Sequence, residues 1–139
     1  MSIFSSILFP IFVMVSAHCI GDYPLQGEFL GTYKSKNNFI LLVHCFIYSA
    51  CIMVGYWVLN INGLLQNLTT LDQYTFMFLI LLVSHFFIDK YKCVERDKLE
   101  KEYGDMNDPT AHSLDINLFY FDQAMHFVFI LVIPLIVRC

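Results

Sequence analysis

Apolar residues fall in four runs, at 3–20, 39–59, 74–89 and 118–137, separated by shorter polar connections. A hydrocarbon layer about 30 Å thick takes roughly 20 helical residues to cross, so each run reads as a membrane span. The third run is short, but its helix is expected to continue into water. Arg96 with Glu100, Asp97 with Lys101 and Lys98 with Glu102 are opposite charges four residues apart, and Gly104 is a natural stop. The pattern predicts an all-α, polytopic membrane protein. Its architecture is a four-transmembrane-helix bundle with a cytosolic helical extension after the third span, all in one membrane domain over residues 1–139.

The connections add detail. Pro10 is placed to kink the first span. Val15-Ser16-Ala17 has the look of a processing site, but no basic residue precedes the run and cleavage would separate His18 from its helix, so the segment is read as a retained span. Gly21 to Pro24 ends that span, with Pro24 as the first residue of a new short helix. Leu25, Phe29 and Tyr33 follow at spacing four, with Lys34 and Lys36 beyond, which predicts a small amphipathic helix lying in the interface; an ordinary loop is the alternative. The connection after the second span carries a sequon, Asn67-Leu68-Thr69, too close to the membrane to be read as a glycosylation site. Asp108-Pro109 makes a turn before the fourth span.

Composition agrees with the pattern: 58% of residues are hydrophobic, 17% aromatic and only 14% charged, and no basic surface of the kind that binds nucleic acid is present. Five cysteines, Cys19, Cys45, Cys51, Cys93 and Cys139, are odd in number, have no C-x-x-C spacing and lie mostly in apolar context. They read as small buried hydrophobes. Seven of the eight Lys and Arg residues lie in the first and third connections and none in the second; only Arg138 dissents. The positive-inside rule therefore predicts a cytoplasmic (inner) membrane protein with those two connections inside and both termini outside.

Candidate chemistry lies within the spans. His18 and Asp22, His85 and Asp89, and Asp122 and His126 are pairs four residues apart, each on one helix face and about 6 Å apart along the axis. His44 is the corresponding residue of the second span. On the predicted topology all seven lie within about 15 Å of the cytoplasmic edge at 1.5 Å per residue. Carboxylates there are disfavoured by up to about 2.5–3.5 kcal/mol each unless paired, hydrated or bound to a cation. A lone intramembrane histidine is more often a packing residue, but three pairs at one depth point to a metal or proton-handling site. Imidazole and carboxylate donors predict a divalent metal, zinc above all, as one or two ions held by His18, Asp22, His44, His85, Asp89, Asp122 and His126. Gln26 and Gln123 are candidates for hydrogen bonds to those ligands. Asp22, Asp89 and Asp122 are candidates for activating water, and Lys90 and Lys92 for contacting a substrate headgroup. Arg96 is read first as a topology anchor, and His112 as a solvated loop residue.

These residues predict a membrane-embedded, metal-dependent hydrolase acting at the cytoplasmic leaflet on a lipid-like phosphoester or amide. Its partner would be a membrane lipid or amphipathic small molecule. An ion- or proton-handling transport protein is the alternative, and a non-catalytic phage or stress membrane factor with a structural metal is another. His18-x-x-x-Asp22 followed by Leu25-Gln26, His44, His85-x-x-x-Asp89 followed by Lys92, and Asp122-Gln123-x-x-His126 together resemble a family of small bacterial and phage membrane proteins, the domain-of-unknown-function family 3307 (DUF3307). The resemblance implies a four-span membrane protein and brings no reaction with it.

Overall fold

A computed structural model describes residues 7–64 and 70–137, the side chains to 133. The sequon at 67–69, Arg138 and Cys139 lie outside the described residues. Five helices follow one another: α1 (Phe9–Asp22), α2 (Gly27–Tyr33), α3 (Asn38–Ile61), α4 (Leu71–Tyr103) and α5 (Pro109–Val137). α3, α4 and α5 are long and apolar enough to cross a membrane; α1 is apolar but shorter, at 14 residues.

Local chemistry sets the helix ends. Asn37 caps α3 by accepting from the Phe39 amide at 2.8 Å. Thr70 and Gln73 form a reciprocal capping box at the start of α4. The Asp108 carboxylate accepts from the Thr110 and Ala111 amides, and Pro109 fills the first position of α5, where a missing amide costs nothing. Gly104, at φ 67°, ends α4 as expected.

Several expectations change in detail. Pro10 falls in the first turn of α1 and not in its interior, a position where proline is tolerated. The short amphipathic helix forms, but from Gly27 and not Pro24, because Gly27 takes a left-handed backbone (φ 58°) that separates it from the preceding turn. The ion pairs of the α4 extension are also different: Lys98 reaches Glu95 at 2.6 Å, and Arg96 reaches Asp115 of α5 at 3.4 Å. Cys19 is exposed, not buried, because it lies beside His18 on the outward face of α1; Cys45 and Cys93 are buried, and the four described cysteines are free.

α1 packs on α3, α3 on α4, and α4 on α5. Each contributes one inward stripe with a four-residue step: Met14, His18 and Asp22 on α1; His44, Tyr48, Ile52 and Tyr56 on α3; Met77, Leu81, His85 and Asp89 on α4; Asp122, His126 and Ile130 on α5. At one end the stripes are apolar and meet in a single cluster that includes Met14, Ile52, Leu59, Met77, Leu81, Ile130 and Ile133. The Tyr56 hydroxyl donates to the Ile130 carbonyl and ties α3 to α5 there. At the other end the stripes are ionisable. Outward faces carry Phe12, Phe46, Trp57, Phe87 and Leu131, each more than half exposed. Such an apolar exterior around a polar interior, on helices of this length, is the organisation of a membrane protein.

Candidate metal centre

The i,i+4 pairs converge because each helix turns its ionisable residues to the bundle axis at one end. Asp22, His44, His85, Asp89, Asp122 and His126 are all buried there, and their nitrogen and oxygen atoms approach one another closely. Asp22 Oδ1 lies 3.4 Å from His44 Nε2 and 3.9 Å from His85 Nε2. The two imidazole nitrogens are 3.1 Å apart. Asp89 Oδ2 is 3.3 Å from His44 Nε2 and 3.8 Å from His85 Nε2. Donors placed 2.0–2.1 Å from a zinc ion stand about 3.3–3.4 Å apart at tetrahedral angles. The five distances given run from 3.1 to 3.9 Å, close to that spacing, and Asp22 and Asp89 fall in different ligand groups.

Asp89 faces two ways. Its other oxygen, Oδ1, lies 3.7 Å from His126 Nε2, and His126 Nδ1 lies 3.9 Å from Asp122 Oδ1. Two three-residue groups could therefore hold a metal ion, Asp22–His44–His85 and His85–Asp89–His126, with His85 common to both. Among the described residues eight buried side-chain nitrogen or oxygen atoms lack a hydrogen-bond partner, and six belong to this cluster: Asp22 Oδ1, His44 Nδ1, His85 Nδ1, Asp122 Oδ1 and both ring nitrogens of His126. Each such atom costs about 1–3 kcal/mol if nothing binds it. The donor set fits a divalent ion.

His18 belongs to neither group, although its Nε2 lies 3.7 Å from Asp22 Oδ2. Its Nε2 donates to Gln123 Oε1 at 2.9 Å, which leaves Nδ1 to accept from the Tyr48 hydroxyl at 3.0 Å. Tyr48 also stacks on His85, with centroids 3.8 Å apart and 16° between planes, and so fixes the orientation of that ring. Gln123 in turn donates to Asp122 at 3.1 Å, so it contacts the cluster as expected. Gln26 touches it only through Lys34, accepting from that ammonium at 2.9 Å.

Two lysines reach into the cluster. Lys92 donates to Asp122 at 2.8 Å. Lys34, from the connection after α2, donates to Asp89 at 2.7 Å and stands 3.3 Å from His44 Nε2. Burial works against the Lys34 ammonium, but the Asp89 charge and hydrogen bond outweigh it and hold its pKa above the usual lysine value, so it is charged at neutral pH. Lys90 bonds instead to Asn38 at 2.9 Å and takes no part in the cluster. Outside the cluster a cavity of about 520 Å³ opens at the polar end; Asp22, Asp89, Asp122, Lys34, Lys92 and Arg96 are among its lining residues. Lys34, Tyr48 and the cavity-lining Cys93 are the residues that sequence reasoning missed. Tyr48 had a signal, its four-residue step from His44; Lys34 had none, being 55 residues from its partner.

A helical membrane protein with a buried histidine–aspartate centre is the class that fold and site define. The family model described as "Protein of unknown function (DUF3307)" matches residues 9–138, and the chain belongs to that family. No curated protein and no solved structure matches it.

Proposed function

We propose that the protein is a membrane-embedded, metal-dependent hydrolase that acts on a lipid-like phosphoester or amide at the inner leaflet. The observation that carries this reading is the set of buried carboxylate and imidazole atoms at ligand spacing, Asp22 Oδ1 and His126 Nε2 among them without a hydrogen-bond partner, next to a cavity that opens at the polar end. Asp22, His44, His85 and Asp89 hold the ion, with His126 as a further donor. A divalent ion in such a site supplies Lewis acidity and lowers the pKa of water. Mixed nitrogen and oxygen donors favour zinc, with iron and manganese next. Asp122 lines the cavity outside both ligand groups and is the carboxylate placed to act as general base. His18 supports it through Gln123 and steadies the His85 ring through Tyr48.

The chain is placed across the cytoplasmic membrane four times, with the cavity inside, on the distribution of its basic residues. A single cysteine introduced at Lys98 in a chain freed of its other cysteines should be labelled only from the cytoplasmic side, and one at 65–69 only from outside. Labelling of Lys98→Cys from outside would move the cavity to the other leaflet and end the inner-leaflet reading.

Transport needs polar continuity across the bilayer. Here the ionisable stripe gives way to the apolar cluster of Ile52, Leu81 and Ile130. Membranes containing wild-type protein should therefore differ in lipid composition from membranes containing Asp22→Asn, while proton or metal-ion flux into proteoliposomes equals that of empty vesicles. Flux dependent on Asp22 and His85, with lipids unchanged, would establish a transporter instead.

A further inference from the structure

The cavity beside the ligand cluster is walled by cations that the fold has gone out of its way to bury. Lys34 and Lys92 are only 15% and 24% exposed, and they come from separate parts of the chain, the connection after α2 and the middle of α4. Each meets a cluster carboxylate, Asp89 and Asp122 respectively, and each lines the cavity. They differ in this from Lys36, which is exposed, and from Lys90, which bonds to Asn38 outside the cavity. Burying an ammonium is costly unless its charge is used.

A divalent ion bound by Asp89 competes with Lys34 for Asp89 Oδ2, since two cations on one oxygen repel. Three carboxylates (Asp22, Asp89, Asp122) then face two ammoniums and two metal charges, which leaves the wall with one positive charge in excess. Asp97 and Glu100 also line the cavity, but both are exposed on the outer turns of α4, where water screens them. Arg96 at the mouth adds a further cation, paired at 3.4 Å with Asp115. The volume, about 520 Å³, falls in the range of small-molecule sites, roughly 300–1,000 Å³. An oxyanion with several acceptor oxygens can meet both ammoniums at once, Lys34 freed by the metal and Lys92 beside Asp122; a neutral amide does not.

We propose that this cavity is a phosphate subsite, in which Lys34 and Lys92 hold the phosphate of a phosphoester beside the ligand cluster. The inference rests on the metal-centre reading above and narrows it from phosphoester or amide to phosphoester. Metal and phosphate then bind cooperatively, because the metal frees Lys34 for the anion.

The test is calorimetric titration of inorganic phosphate into the full chain in nanodiscs of phosphatidylcholine, with zinc loading measured on the same samples. Zinc-loaded wild type should bind phosphate, and the zinc-free protein should bind it more weakly. Lys34→Met and Lys92→Met should each weaken binding about tenfold or more, the scale of one charged hydrogen bond. Lys34→Arg and Lys92→Arg should restore most of it, and Lys36→Met and Lys90→Met should change nothing. Lys34→Met should keep or raise zinc affinity, since it removes a competitor, and its zinc content and helical circular dichroism report that it folds. Wild type that takes up no zinc would overturn the metal centre itself. Zinc uptake with phosphate binding indifferent to Lys34 and Lys92 would overturn the subsite alone. Adding phosphatidic acid to the nanodiscs distinguishes the source: displacement of phosphate assigns the subsite to a lipid headgroup, and no displacement assigns it to a soluble phosphate, the subsite standing in either case.

Discussion

Replacing His85 with alanine is expected to strip the protein of its divalent metal. His85 belongs to both candidate ligand groups, so its loss removes a donor from each, whereas Asp22 or His126 serves only one. Wild type purified in detergent from zinc-supplemented cells should carry roughly one or two equivalents, as the donor set implies. The loss in His85→Ala should exceed the ~10–100-fold in affinity that removing an outer partner of a ligand costs. His18→Ala tests that smaller class, because His18 belongs to neither ligand group and hydrogen-bonds to Tyr48 and Gln123. His112→Ala, exposed and distant, should leave the content unchanged. Elemental analysis of the four proteins decides the matter. Full metal in His85→Ala would mean that the cluster is a hydrogen-bonded polar core, and the hydrolase reading would fall with it.

Gly21→Val should produce the same loss without touching a ligand. A Cβ at Gly21 would stand 3.2 Å from the Tyr48 Cα and 3.2 Å from its ring, and a backbone atom cannot move aside. α1 must then withdraw from α3, carrying Asp22 away from His44. Overpacking of this kind costs about 1–3 kcal/mol, so the thermal unfolding midpoint in detergent should fall along with the metal content. Gly55→Ala is the comparison: its Cβ would meet the Ala17 methyl at 3.1 Å and the Met14 sulfur at 3.2 Å, side-chain atoms on a face that can adjust. A Gly21→Val protein with wild-type stability and metal would show that the close approach of α1 to α3 does not position Asp22.

Much of the centre was legible before the fold was known, for a simple reason. The i,i+4 spacing of His85 with Asp89, or of Asp122 with His126, commits both side chains to one helix face, and an ionisable face in an apolar run has only the bundle axis to turn to. Gly104 likewise marked the end of α4. What the chain order concealed is tertiary. His18 has the same spacing to Asp22 as His85 to Asp89, yet Tyr48 and Gln123 take both its ring nitrogens. Lys34 looked like a membrane-surface anchor and is instead buried on Asp89, because the connection after α2 folds back over the polar end. The charges of the α4 extension were paired along the helix by rule, but Arg96 found Asp115 on α5, a partner that only packing supplies.

The unbroken course of α4 bears on how steady the centre is. Its 33 residues make a helix about 50 Å long whose midpoint is residue 87. His85 and Asp89 straddle that fulcrum, each about 3 Å away along the axis, while the tips are about 24 Å away. A tilt about the midpoint that swings either tip by roughly 2 Å shifts the two donors by only about a quarter of an ångström, near the ~0.2 Å tolerance of metal–ligand distances. Changes in bilayer thickness at one end, or jostling of the charged turns at the other, are thereby damped eightfold or so before they reach the donors.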